Sequence, residues 1–80
     1  MRKAPIRADD LEQFPARLSP KQRRICVLVC NGLINKEIAT RMGLSEHAVK
    51  NSLCAIFQNV GVDDKTALLI RLMKFKYEGV

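Results

Sequence analysis

Residues 35–60 read NKEIATRMGLSEHAVKNSLCAIFQNV, and the spacing within this stretch decides the fold. Asn35 is a helix-capping residue type, and Ile38, Ala39 and Met42 follow it on one helical face over about 36–42. Gly43 permits the left-handed conformation that stops a helix. Ser45 caps the next one, with Leu44 and Val49 placed as a hydrophobic staple across its first turn. Val49, Leu53, Ile56 and Val60 then recur at helical spacing and, joined by Phe57, form the inward face of a helix over about 46–60. Gly43-Leu44-Ser45 alone separates two capped amphipathic helices. A link that short suits a helix-turn-helix, in which the first helix braces the second and the second lies in a DNA groove.

Upstream, Ser19-Pro20-Lys21-Gln22 is a capping box with proline at the first helical position, and the helix it opens runs to about Asn31, before Gly32. The apolar run Ile25–Cys30 would also suit a buried strand; the cap, the length and the terminating glycine favour helix. Downstream, Gly61 ends the third helix. Asp64 caps a fourth over about Lys65–Tyr77, where its charge suits the positive end of the helix dipole. Residues 1–17 hold Pro5 and Pro15, charges of both signs and few apolar positions. They read as a short N-terminal arm or linker, with a turn or two over Ala8–Phe14 and with Leu11 and Phe14 resting on the domain. The expected architecture is all-α: an arm over 1–17 and a four-helix helix-turn-helix domain over 18–80.

Eighty residues suffice for one small domain. The 14 Lys and Arg against 8 Asp and Glu give a formal charge of +6, which favours a polyanionic partner such as nucleic acid. No apolar run approaches the ~20 residues that span a bilayer, and the basic N-terminus is not followed by the apolar stretch of a secretory signal. An odd count of three cysteines reads as reduced thiols, so the chain is expected in the cytoplasm, nucleoid-associated when bound, with no membrane partner. Cys26 and Cys30 lie four apart, but zinc needs more ligands than His47, the one histidine, supplies. They are expected to be buried as small hydrophobes, and neither metal nor cofactor is expected. No nucleophile, acid pair or Gly-rich phosphate loop accompanies His47, so no enzyme is expected.

Leu18-Ser19-Pro20, Asn31-Gly32-Leu33, Asn35-Lys36-Glu37-Ile38-Ala39 and Gly43-Leu44-Ser45 resemble the LuxR/GerE-type (NarL/FixJ-like) DNA-binding domain. Ala48-Val49-Lys50-Asn51-Ser52, Ile56-Phe57 and Val60-Gly61-Val62 continue the resemblance, which runs without a gap from residue 18 to about 75. It implies a four-helix domain that binds DNA, commonly dimerises through helix four, and regulates transcription in bacteria. It also places Lys50, Asn51 and Cys54 where relatives present side chains to base edges. Periodicity agrees, because His47, Lys50, Asn51, Cys54 and Gln58 form the stripe opposite the apolar face. Asn51 suits adenine N6 and N7, and Lys50 suits guanine O6 and N7. Lys36, at the start of helix two, resembles the family's phosphate-contacting lysine and has helix N-terminal N–H groups beside it. Ser45, His47, Lys21 and Lys65 join it as phosphate candidates, with Arg23, Arg24 and Arg41 as further surface cations.

The sequence also departs from the family pattern. Ala48 replaces a usual Thr, Ser52 a frequent His, Asn59-Val60 a Lys followed by Leu, and Cys54 a position that is often basic. The reading stripe thus carries one lysine, with Glu46 nearby. Helix four is unusually apolar: Leu68, Leu69 and Leu72 stand where Ala is more common. Together with Met73 they are expected to form a homodimer surface, a reading that Val27, apolar where a charge is usual, supports more faintly. The leading expectation is a sequence-specific bacterial transcriptional regulator that reads the major groove of double-stranded DNA as a homodimer. The alternative is a degenerate helix-turn-helix protein acting as a protein-interaction module or anti-activator, pairing with a related regulator.

Overall fold

The structure, a computed structural model, describes residues 6–79. A one-turn 3₁₀ helix, Ala8–Leu11, precedes four α-helices: α1 (Pro20–Cys30), α2 (Asn35–Met42), α3 (Glu46–Val60) and α4 (Lys65–Glu78). Among the described residues no helix is long and apolar enough to cross a membrane.

Side-chain caps set most of these boundaries. At α1, the Gln22 N–H donates to Ser19 Oγ (3.1 Å) and the Ser19 N–H donates to Gln22 Oε1 (2.9 Å), closing both halves of the capping box. The run after it is helical, with Ile25, Cys26 and Val29 buried and Val27, Leu28 and Cys30 half-buried. At α4, Asp64 Oδ1 accepts from the Ala67 N–H at 2.8 Å. At α2 the boundary differs from expectation. Ile34 occupies the N-cap and Asn35 is already helical. Glu37 Oε1 reaches back to accept the Ile34 N–H (2.9 Å), while the Asn35 side chain accepts from Lys65 Nζ (3.1 Å) instead of capping.

α1 packs against every other element, and α3 lies against α1, α2 and α4. Ile25, Cys26, Val29, Ile38, Ala39, Val49, Leu53, Ile56, Leu68 and Leu72 form the shared core. Each fully buried Ile or Leu contributes roughly 1.5–3 kcal/mol, so this seam, more than helix propensity, holds the domain together.

Residues 6–17 dock on the domain, with Ile6 added to the Leu11 and Phe14 contacts expected of the arm, and residues 1–5 lie outside the described residues. Ile6, Leu11 and Phe14 are buried in the same core as the helices. The Ile6 N–H donates to Asn31 Oδ1 and Asn31 Nδ2 donates to the Ile6 carbonyl, both at 3.3 Å. Lys76 Nζ pairs with Asp10 Oδ2 at 2.8 Å. The rings of Phe14 and Phe75 meet edge to face at 5.1 Å, and the Arg71 guanidinium lies 5.6 Å over Phe14. The physical reason is that α1 and α4 leave apolar surface between them that the 3₁₀ turn covers. Leu68 and Leu72, expected at a dimer surface, are a correction. Both are 0% exposed within the single chain, so they face its own core and present nothing to a partner.

Candidate nucleic-acid interface

The angle between α2 and α3 is fixed by backbone. Gly43 has φ 68°, and the Leu44 N–H donates to the Ala39 carbonyl at 2.9 Å, a Schellman-type closure that uses up an end carbonyl of α2. A Cβ at Gly43 would meet no atom within 4 Å, so the demand for glycine there comes from its left-handed backbone alone. Ser45 Oγ then accepts the Ala48 N–H (3.0 Å), which starts α3 and leaves the Ser45 hydroxyl hydrogen to donate outward.

One side of α3 is spent on packing: Val49, Leu53 and Ile56 are 0%, 4% and 0% exposed. Phe57 and Val60 are half-buried beside them. On the opposite side His47, Lys50, Asn51, Cys54 and Gln58 are all exposed. The chain covers none of this stripe, which runs ~16 Å along the helix at 1.5 Å per residue. A helix of that kind fits the ~12 Å width of the major groove, where Asn and Lys have distinct base partners. Among the described residues the ion pair within 4 Å is Lys76–Asp10, so Glu46 does not hold Lys50.

Of the phosphate candidates, Lys36 is exposed in the first turn of α2, Ser45 and His47 are exposed at the start of α3, and Lys21 is exposed in the first turn of α1. Lys65 does not join them. It is half-buried, and its ammonium donates to Asn35 Oδ1 (3.1 Å) and to the Leu33 carbonyl (3.5 Å), tying the start of α4 to the start of α2. Arg23 is half-buried with its guanidinium donating to the Leu18 carbonyl (3.4 Å). Arg24 and Arg41 are exposed and flank a shallow groove floored by Val27, Leu28 and Met42, away from the α3 stripe.

On α4, Leu69 and Met73 are half-buried while Ile70 is 56% and Tyr77 41% exposed. Ile70 and Tyr77 belong to the apolar residues of helix four but are not among those the sequence assigns to the dimer surface, and the exposed Ile34 carries no assignment there. The seven-residue step from Ile70 to Tyr77, out of phase with the four-residue step from Leu68 to Leu72, was the available signal.

The cysteines separate by environment. Burial pushes the Cys26 thiol up to about 12, and burial together with the neighbouring Cys26 pushes Cys30 up to about 12, so neither is a nucleophile near neutrality. Cys54 is exposed on the α3 stripe.

Residues 16–72 match the family model described as bacterial regulatory proteins, luxR family. The chain is also similar to the probable HTH-type transcriptional regulator GfsR of Streptomyces halstedii, with 39% identity over 54 residues. That match covers 68% of this chain and 22% of the relative, so it spans less than a quarter of the curated relative's length. No solved structure matches it.

Proposed function

Because this chain belongs to the LuxR family of bacterial regulatory proteins, we propose that it binds double-stranded DNA sequence-specifically and regulates transcription as a homodimer. One observation carries the reading. α3 buries Val49, Leu53 and Ile56 completely enough to be rigid, yet leaves Lys50, Asn51 and Cys54 bare. In this arrangement α3 enters the major groove, with Lys50 and Asn51 pairing with bases and Cys54 packing beside them. Lys36, Ser45, His47 and Lys21 hold phosphates on either side. Leu69, Ile70, Met73 and Tyr77 supply the dimer surface on α4 in place of the core residues Leu68 and Leu72. Two reading helices related by a two-fold axis predict an inverted-repeat site with half-sites about one helical turn apart.

Selection of binding sites from random DNA tests the assignment. The wild-type chain should enrich a defined motif. Lys50→Ala combined with Asn51→Ala should abolish that preference while leaving the circular dichroism spectrum unchanged, because neither side chain packs on the core. Each bidentate base contact is worth about 1–3 kcal/mol of discrimination. A double variant that still selects the same motif would show that bases are read elsewhere.

The second reading, a protein-interaction module that pairs with a related regulator, is favoured by the single lysine on the stripe and by apolar Ile34, Ile70 and Tyr77 in solvent. Mobility shift on the same random pool separates the two. Salt-sensitive retention supports DNA binding, and no retention even at low salt supports the module.

A further inference from the structure

The groove between α1 and α2 encloses about 260 Å³. Arg24, Val27 and Leu28 line it from one face of α1, because positions three and four apart coincide on a helix, and Arg41 and Met42 line it from the last turn of α2. Val27, Leu28 and Met42 are only half-buried, so packing leaves part of each against water. Arg24 and Arg41, both exposed, flank this apolar floor. The half-buried cations elsewhere are used within the chain: Arg23 by the Leu18 carbonyl, Lys65 by Leu33 and Asn35, Lys76 by Asp10. Arg24 and Arg41 have no ion pair or hydrogen bond among the described residues, and no carboxylate lines the groove.

Two unpaired guanidiniums around an apolar floor select an occupant by charge and by polarity together. A phosphate backbone satisfies the arginines but gains nothing from three apolar side chains. A small molecule is poorly served as well, since pockets that enclose one run to ~300–1,000 Å³ and surround most of it, whereas this groove is smaller and shallow. A helix with an apolar stripe and carboxylates on both sides of it satisfies both demands. Its apolar side chains rest on Val27, Leu28 and Met42, and the flexible Met42 side chain adapts to their shape. Each carboxylate accepts two parallel N–H bonds from one guanidinium, a geometry that lysine does not offer. We propose that the α1–α2 groove docks an acidic amphipathic helix of another protein. The site is separate from base reading, because α3 contributes no residue to its lining.

Fluorescence anisotropy on the whole chain without DNA tests it, with a labelled helical peptide carrying Leu at i, i+3, i+4 and i+7 and Glu on both sides of that stripe. A second peptide has Lys for every Glu, and a third has Ser for every Leu. The first should bind saturably and the other two about 10-fold more weakly or less. Arg24→Ala combined with Arg41→Ala should weaken the first peptide about 10-fold, the factor that 1.4 kcal/mol represents, with the circular dichroism spectrum unchanged. Arg17→Ala combined with Lys74→Ala removes the same charge from exposed positions elsewhere and should cost less than about 2-fold. No binding of the first peptide, equal binding of the serine peptide, or equal losses in the two double variants overturns the proposal. So does a DNA result: on random duplex the Arg24 and Arg41 variant should keep the wild-type salt dependence, and a slope shallower by about 1.8 would make the groove a phosphate surface. A wild type that binds no DNA leaves the peptide titration to decide alone, so the two readings fail separately.

Discussion

Lys65 shows how a residue's charge and its role come apart. Counted in sequence it is one more cation beside a helix N-terminus, but in the fold its ammonium is the link between α4 and the α1–α2 turn. Lys65→Met keeps the aliphatic stem and removes the donors, leaving the Leu33 carbonyl and Asn35 amide short of a partner. A hydrogen bond to a charged group contributes about 1.5–3 kcal/mol, and half-exposure puts this one at the lower end, so a loss of roughly 1–2 kcal/mol is expected in thermal unfolding. The salt dependence of DNA binding should be unchanged. A phosphate contact would instead lower the slope of log K against log salt by about 0.9. Leu68 and Leu72 make the same point among apolar residues: identical in type to Leu69, they differ from it only in which way the helix turns them.

At the scale of elements, the docked 3₁₀ turn is the part of the fold most exposed to acid. The Lys76 ammonium bonded to Asp10 and the Arg7 N–H donating to it at 2.9 Å hold the Asp10 carboxyl below its ordinary 3.8. A carboxyl depressed in the folded state contributes stability that is present above its unfolded value and lost as pH falls through the folded one. The melting temperature should therefore be insensitive to this pair from neutrality down to about pH 4 and decline below it. Asp10→Asn should lower the neutral-pH melting temperature slightly and flatten the decline, as calorimetry at stepped pH would record. A wild type and variant falling in parallel would mean that the clasp does not hold the turn. Because α4 carries both Lys76 and the proposed dimer face, the turn and the partner share one helix.

At the scale of the molecule, a charge of +6 on one small domain sets two associations against each other. DNA binding releases counterions and weakens with salt; the two lysines proposed to hold phosphates, Lys21 and Lys36, give a slope near −1.8 per chain, so a tenfold rise in salt costs roughly 60-fold in affinity. The self-association proposed through apolar Leu69 and Ile70 would bring like charges together, and salt would screen that repulsion over a Debye length of ~10 Å at 0.1 M. Raising sodium chloride from about 50 to about 500 mM should therefore tighten the dimer a few-fold in sedimentation while DNA affinity, read by fluorescence anisotropy, collapses. A dimer that weakens in parallel with DNA binding would place ion pairs, not apolar contact, at its interface.

Helix positions and the bare polar stripe were legible in the sequence because both are local. The capping hydroxyls of Ser19 and Ser45 and the carboxylate of Asp64 act within three residues, and the stripe from His47 to Gln58 needs only the 3.6-residue period opposite Val49 and Leu53. What was not legible depends on partners far along the chain. Asp10 finds Lys76, Ile6 finds Asn31, and Asn35 gives up its cap to Lys65. On α4 apolar residues surround the helix, so no stripe stands out from the pattern. Only the packing of α4 on α1, α3 and the 3₁₀ turn decides that Leu68 and Leu72 are core and Ile70 is surface. Local hydrogen bonds and periodicity fix where each helix begins and which side it must bury; the choice between two sides that are both apolar belongs to whichever neighbours the folded chain brings against them.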